Sequence, residues 1–275
     1  MYGIRIVMSA LLAVAALGAT TIAHSADDDA KLHADLERVA QRRIFFGHQS
    51  VGVNILEGIE QLSKMAGVPV NIVKVNTASD VNKPMIGQTF LPENGFPPKK
   101  LKSFEEDLEP KHAGLDIAMM KFCFVDITAQ TDAKALFASY RATIEGLEAK
   151  NPGTIFVHVT APLTSEQSGP KELLKQLLGR GGSAVNVRRE EYNSLLRKAY
   201  QGREPIFDLA RVESTAPDGS AVTVKWNGIV APAMDPAYTS DGGHLSTIGK
   251  QRAARELISV LAMLPVHSVS HSQAR

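Results

Sequence analysis

The chain predicts an α/β domain built on one parallel sheet, and three observations carry that expectation. Extended apolar segments alternate with segments of helical periodicity from about residue 30 onward. Leu115–Val125 is almost continuously apolar, as a central strand covered on both faces should be. No break in composition, flexible linker or internal repeat divides the 275 residues, so one domain over 27–265 is expected. Strands separated by helices pair in parallel through right-handed crossovers. The expected architecture is therefore three-layered, α/β/α, around a five-stranded, mostly parallel sheet.

The first 26 residues have a different character. Arg5 precedes an apolar run from Ile6 to Leu17, and a small-residue stretch ends in Ala23-His24-Ser25-Ala26. This is the layout of a secretory signal peptide, with an apolar core too short for a permanent span. A periplasmic or secreted mature chain beginning near Asp27 is expected, with no integral membrane span after cleavage; an uncleaved N-terminal anchor is the alternative. Loss of Arg5 takes 30 basic side chains to 29, matching the 29 acidic ones. That balance gives no reason to expect a nucleic-acid partner. Cys123 is the single cysteine, which excludes an intrachain disulfide.

The elements follow in order. Leu32, Leu36 and Val39 recur at helical spacing, ending at Arg42-Arg43, and Ile44-Phe45-Phe46 reads as a short buried strand. Ile55, Leu56, Ile59 and Leu62 form one stripe of a second helix, and Val70–Val75 is the next strand. A helix starting at Pro98 runs through Leu108, and Leu115–Val125 supplies the third strand. Thr131 or Asp132 caps a helix bearing Phe137, Tyr140, Ile144 and Leu147, which Asn151-Pro152-Gly153 closes. Thr154–Val159 and Pro205–Leu209 are the last two strands, with helical stretches at Lys171–Leu178 and about Val187–Tyr200 between them. Asn76–Phe96 and Val212–Ser240 are longer than ordinary loops, so they should hold local structure or line a site. Residues 266–275 read as a disordered tail.

Ligands of open α/β sheets bind at the carboxyl ends of the strands, and two polar clusters suit that place. Gly47-His48-Gln49-Ser50 follows the first strand directly and precedes a helix. A serine there sits on a sharp turn, with its N–H at a helix N-terminus where an oxyanion could be held. The alternative is a plain helix N-cap. Asp241-Gly242-Gly243-His244-Leu245-Ser246 precedes the last helix, which carries Ile248, Leu257, Ile258, Leu261 and Leu264. A general-base histidine needs a carboxylate at Nδ1, and an Asp three residues upstream can supply it. The alternative is an Asx-turn leading into a helix capped by Ser246, with His244 simply on the surface.

Together these clusters resemble the SGNH/GDSL hydrolase family. Asp241-Gly-Gly-His244-Leu-Ser-x-x-Gly249 is similar to that family's carboxy-terminal block, and Ser50 stands where its nucleophile follows the first strand. The family's Gly-Asp-Ser is here Gly47-His48-Gln49-Ser50. The resemblance implies the flavodoxin-like SGNH fold and a catalytic triad of Ser50, Asp241 and His244. It also implies an oxyanion hole with the Ser50 N–H as one donor and Gly95, or alternatively Gly87, as the second. The family's asparagine donor has no counterpart in Lys121-Phe122-Cys123-Phe124-Val125-Asp126; Lys121, the Cys123 thiol or a backbone N–H could replace it, whereas a charged Asp126 would repel an oxyanion.

No metal or organic cofactor is implied. The histidines lack paired spacing, and His158, alternating with Phe156, reads as an interior residue. The expected partner is a small-molecule or carbohydrate acyl ester, short acyl groups being favoured because His48, Gln49, Asn54, Asn76, Gln88 and Asn94 make the presumed site polar. A non-catalytic periplasmic carbohydrate-binding protein on the same fold and an O-acyltransferase are the competing expectations.

Overall fold

The computed structural model describes residues 26–108, 114–166 and 181–265. The signal-peptide segment up to residue 25, the helix expected at Lys171–Leu178 and the tail from residue 266 lie outside the described residues. A first helix, α1 (26–40), leads into β1 (Arg43–His48) and α2 (Val51–Ala66). Next come β2 (Ile72–Lys74), β3 (Met85–Phe90), α3 (Pro97–Leu108) and β4 (Ile117–Met120). Then follow α4 (Ala133–Lys150), β5 (Ile155–Val159), α5 (Gly182–Tyr200), β6 (Ile206–Phe207) and the short α6 (Leu209–Glu213). A hairpin of β7 (Thr223–Trp226) and β8 (Ile229–Pro232) precedes the final helix α7 (Thr247–Met263).

The sheet has six strands in the order β2-β3-β1-β4-β5-β6, one more than expected, and every named pair in it is parallel. The extra strand is β3, inside the segment expected to be irregular. Its sequence Met-Ile-Gly-Gln-Thr-Phe has no continuous apolar run, yet it pairs with β1 from Arg43↔Met85 to His48↔Phe90. The expected third strand is shorter than its apolar run, because the chain leaves the sheet after Met120 and turns through Phe124–Asp126. Asp132 is the cap of α4, accepting from the N–H groups of Lys134 and Ala135 at 3.0 Å each.

Alternation along the strands divides the core into two layers. Ile44 and Phe46 of β1, Ile117 and Met119 of β4, and Val157 and Val159 of β5 pack with α1, α2 and α7. Phe45, Ala118, Met120 and Phe156 face the opposite layer, with Phe104, Tyr140, Ile144, Leu147, Tyr192 and Leu196 from α3, α4 and α5. The three-layer α/β/α class is therefore as expected. Among the described residues no helix is long and apolar enough to cross a membrane.

From β1 the chain moves to one side of the sheet for β2 and β3, then crosses to the other side for β4. The carboxyl end of β1 is thus the topological switch point, where an open α/β sheet leaves a crevice. Helix α2 leaves from this point and packs on α7. At Gly58 the two helices approach so closely that a Cβ would lie 2.3 Å from the carbonyl oxygen of Lys250.

Candidate active site

Ser50 sits between β1 and α2 with φ 52° and ψ −108°, a left-handed backbone that an L-residue adopts at a cost of about 1–3 kcal/mol. The turn is held from several sides. The Gln49 side-chain amide donates to the Leu91 carbonyl at 2.6 Å, and the N–H of Gly52 to the Gln49 carbonyl at 3.0 Å. Position 52 has to be glycine, since a Cβ there would lie 2.5 Å from the ring of His48. Although Ser50 stands at the N-cap of α2, its hydroxyl makes no capping bond. It lies instead 2.7 Å from Nε2 of His244.

The loop bearing His244 is ordered largely by one carboxylate. Asp241 Oδ1 accepts from the N–H of Gly243 at 2.9 Å and of His244 at 2.7 Å, while Oδ2 stands 2.6 Å from His244 Nδ1. Partial burial opposes the charge on Asp241. The Gly243 N–H, the imidazole and the His244 N–H outweigh it and hold the carboxyl well below the usual range. With Nδ1–H directed at Asp241, Nε2 presents its lone pair to the Ser50 hydroxyl. The Asx-turn and the Ser246 cap weighed against a catalytic histidine are both present: Ser246 Oγ accepts from the Gly249 N–H at 3.3 Å. They are how the loop presents His244.

Three further residues fix this arrangement. Asn54, one turn into α2, accepts from the N–H of Leu245 at 3.1 Å and so ties the histidine loop to the serine helix. Phe124 stands edge-on to the His244 ring, centroids 5.5 Å apart at 80°. Arg189 in turn donates to the Phe124 carbonyl from Nε at 3.2 Å and Nη2 at 2.6 Å. Neither Phe124 nor Arg189 stands out in the sequence, because each acts through the fold rather than through a motif.

Gly95 is not the free oxyanion donor it was expected to be. Its N–H donates to Asp126 Oδ1 at 2.7 Å. The other Asp126 oxygen accepts from the Cys123 N–H at 2.6 Å and from Lys100 Nζ at 2.7 Å, and Lys100 also donates to Asn94 Oδ1 at 2.8 Å. Lys100 and Asp126 are both fully buried side chains. Asp126 is thus the tie between the loop after β3 and the turn after β4, both at the carboxyl edge of the sheet. The Lys121 ammonium donates to the Phe122 carbonyl at 3.0 Å.

Beneath the serine turn the polar residues are buried. His48 is wholly inside, and among the described residues neither ring nitrogen has a close hydrogen-bond partner. Burial first, then the charge of Lys121, push its pKa down to about 3. Glu213 is pushed up to about 8 by burial, against the opposing pull of the Leu163 N–H, Lys121 and Arg189. The polar lining expected from sequence is thus partly structural: His48 is sequestered, and Gln49, Asn54 and Asn94 have hydrogen bonds within the fold. A cavity of about 330 Å³ is lined by Phe124, Val125, Ile127, Thr128, Val185 and Arg189.

No family model and no curated protein matches the sequence. Solved structures do. A platelet activating factor structure from Streptococcus pneumonia matches at 14% identity over 90% of this chain and 99% of that one, with a TM-score of 0.50. A GDSL-like lipase from Bacteroides thetaiotaomicron matches at 10% identity, over 81% and 86% of the two chains, with a TM-score of 0.46. The first of these likenesses extends over nearly the whole of both chains and concerns the fold. An acetyl xylan esterase is similar at 15% identity, over 78% and 97% of the chains, with a TM-score of 0.45. At such identities the likeness concerns the fold alone, so chemistry has to be argued from the residues of this chain.

Proposed function

We propose that this chain is a serine acyl-ester hydrolase in which Ser50 is the nucleophile, His244 the general base and Asp241 its orienting carboxylate. One observation carries the reading: a serine on strained backbone gives up its capping role and meets, at 2.7 Å, a histidine whose other nitrogen is 2.6 Å from a carboxylate.

In this mechanism His244 Nε2 takes the Ser50 Oγ proton as Oγ attacks the ester carbonyl. Asp241 stabilises the imidazolium. The negative charge on the carbonyl oxygen falls to the Ser50 N–H at the start of α2, a helix end that favours an anion. His244 returns the proton to the departing alcohol, leaving an acyl-serine. Water, deprotonated by the same Nε2, then releases the acid. A sugar hydroxyl in place of water gives acyl transfer by the same steps.

Short acyl esters, such as acetyl groups on carbohydrate, are the proposed substrates, met outside the cytoplasm if residues 1–26 direct export. The test is kcat/KM for acetyl, butyryl and dodecanoyl esters of one leaving group, alongside acetylated oligosaccharides. Values falling with chain length are expected. A preference for the dodecanoyl ester would overturn the substrate class, and activity on none of them would favour a binding protein.

A further inference from the structure

A second constellation of ligand-type residues lies away from Ser50. Glu148 in the last turn of α4, His158 on β5 and Glu204 just before β6 each offer one ligand atom, and those atoms lie within 4.8 Å of one another. His158 Nε2 is 2.8 Å from Glu204 Oε2, and its Nδ1 is 2.9 Å from the Tyr140 hydroxyl. The imidazole is fully buried and lies parallel to the ring of Tyr200, centroids 3.5 Å apart. Tyr200 is 5% exposed, and its hydroxyl is buried with no hydrogen-bond partner among the described residues. Burial first, then the charges of Glu204, Glu145 and Glu148, hold its phenol above the ordinary range.

We propose that Glu148, His158 and Glu204 bind one divalent transition-metal ion of the Zn2+ type, which staples α4, β5 and the turn before β6 together. Two carboxylates held beside an imidazole repel one another unless a proton or a cation lies between them. An imidazole in the set favours Zn2+ over Ca2+ or Mg2+, which select oxygen ligands. The Tyr140 hydroxyl at Nδ1 is the kind of contact that orients a ligating histidine and leaves Nε2 to face the ion. The Tyr200 hydroxyl then has a use, as a further donor or as the partner of a metal-bound water.

The site is structural rather than catalytic. His158 points to the α4–α5 face of the sheet, whereas α2 and α7, which carry Ser50 and follow His244, cover the other face. A chain whose one cysteine cannot form an intrachain disulfide gains a cross-link of another kind. Histidine spacing could not reveal it, because its ligands come from three separate elements.

The experiment is titration of the purified, chelator-stripped full chain with Zn2+ alone, followed by calorimetry and thermal melting, with Ca2+ as comparator. One equivalent of Zn2+ should bind and raise the Tm, and Ca2+ should not compete. E148Q and E204Q, which keep the shape of each side chain, should weaken Zn2+ binding by more than about 100-fold while far-UV circular dichroism stays unchanged. Ser50→Ala should bind Zn2+ as the native chain does. Absence of saturable binding would mean that a proton fills the gap, with the Tyr140 hydroxyl donating to Nδ1 and Nε2–H donating to Glu204. That result overturns the proposal, and so does binding that survives both glutamine substitutions.

Discussion

The two halves of the candidate triad are built by opposite means. Ser50 is held by the frame: β1 fixed between β3 and β4, a buried His48 beneath it and a backbone at φ 52° that no side-chain capping bond rewards. His244 is held by hydrogen bonds on an exposed loop, where Asp241 binds two backbone N–H groups and the imidazole together. The serine half thus depends on long-range packing and the histidine half on a contact three residues away. Strain is concentrated in the first and electrostatic preorganisation in the second.

The largest expected effect separates strain from chemistry at position 50. Ser50→Gly should lower kcat by on the order of 10⁵–10⁶-fold, since the nucleophile is gone. The same change should raise stability in urea unfolding by about 1 kcal/mol or more, because glycine accepts φ 52° freely. A destabilised Ser50→Gly would contradict a strained serine half.

Next comes the loop. Asp241→Asn keeps an acceptor for the backbone N–H groups but removes the charge and the tautomer control on His244. It should lower kcat by on the order of 10⁴-fold, with thermal stability little changed. A loss below about 10-fold would mean that the short Asp–His contact only shapes the loop.

The smallest effect is on stability against pH, and it tests the buried floor under the serine. His48, at about 3 in the fold against 6.5 unfolded, binds fewer protons folded than unfolded between those values, so its contribution falls as pH drops through that range. Glu213, at about 8 against 4.5, binds more protons when folded, so its contribution falls as pH rises from 4.5 to 8. The two offset each other between 4.5 and 6.5, each changing by about 1.4 kcal/mol per pH unit. Unfolding free energies should therefore be higher at pH 5.5 than at 3.5 or 7.5, and Glu213→Gln should flatten the alkaline side. A stability still rising from pH 5.5 to 7.5 in the native chain would show that Glu213 is ionised in the fold.

What was legible in the sequence follows the same divide. The Asp241–His244 spacing could be read directly, because its contacts are local and the helix after it is marked by a Ser246 cap and an apolar stripe. The position of Ser50 could be read from the strand before it, but not its strained backbone, which is imposed by β1's neighbours. β3 was missed because Gly87, Gln88 and Thr89 interrupt its apolar pattern, and its partner β1 lies some forty residues upstream. The Gly95 N–H is taken up for a related reason. The Asp126 carboxylate that binds its N–H arrives from beyond β4, paired with a lysine from α3. A buried ion pair between distant segments leaves no periodic trace.

The central claim, that Ser50 is a nucleophile activated by His244, is tested most directly by fluorophosphonate labelling of the purified protein with the modified peptide mapped. One phosphonyl adduct on Ser50 is expected, absent from Ser50→Ala and strongly slowed in His244→Ala, with both variants folded. Labelling that persists in Ser50→Ala, or a native protein that remains unlabelled while its 2.7 Å serine–histidine contact is intact, would contradict the account.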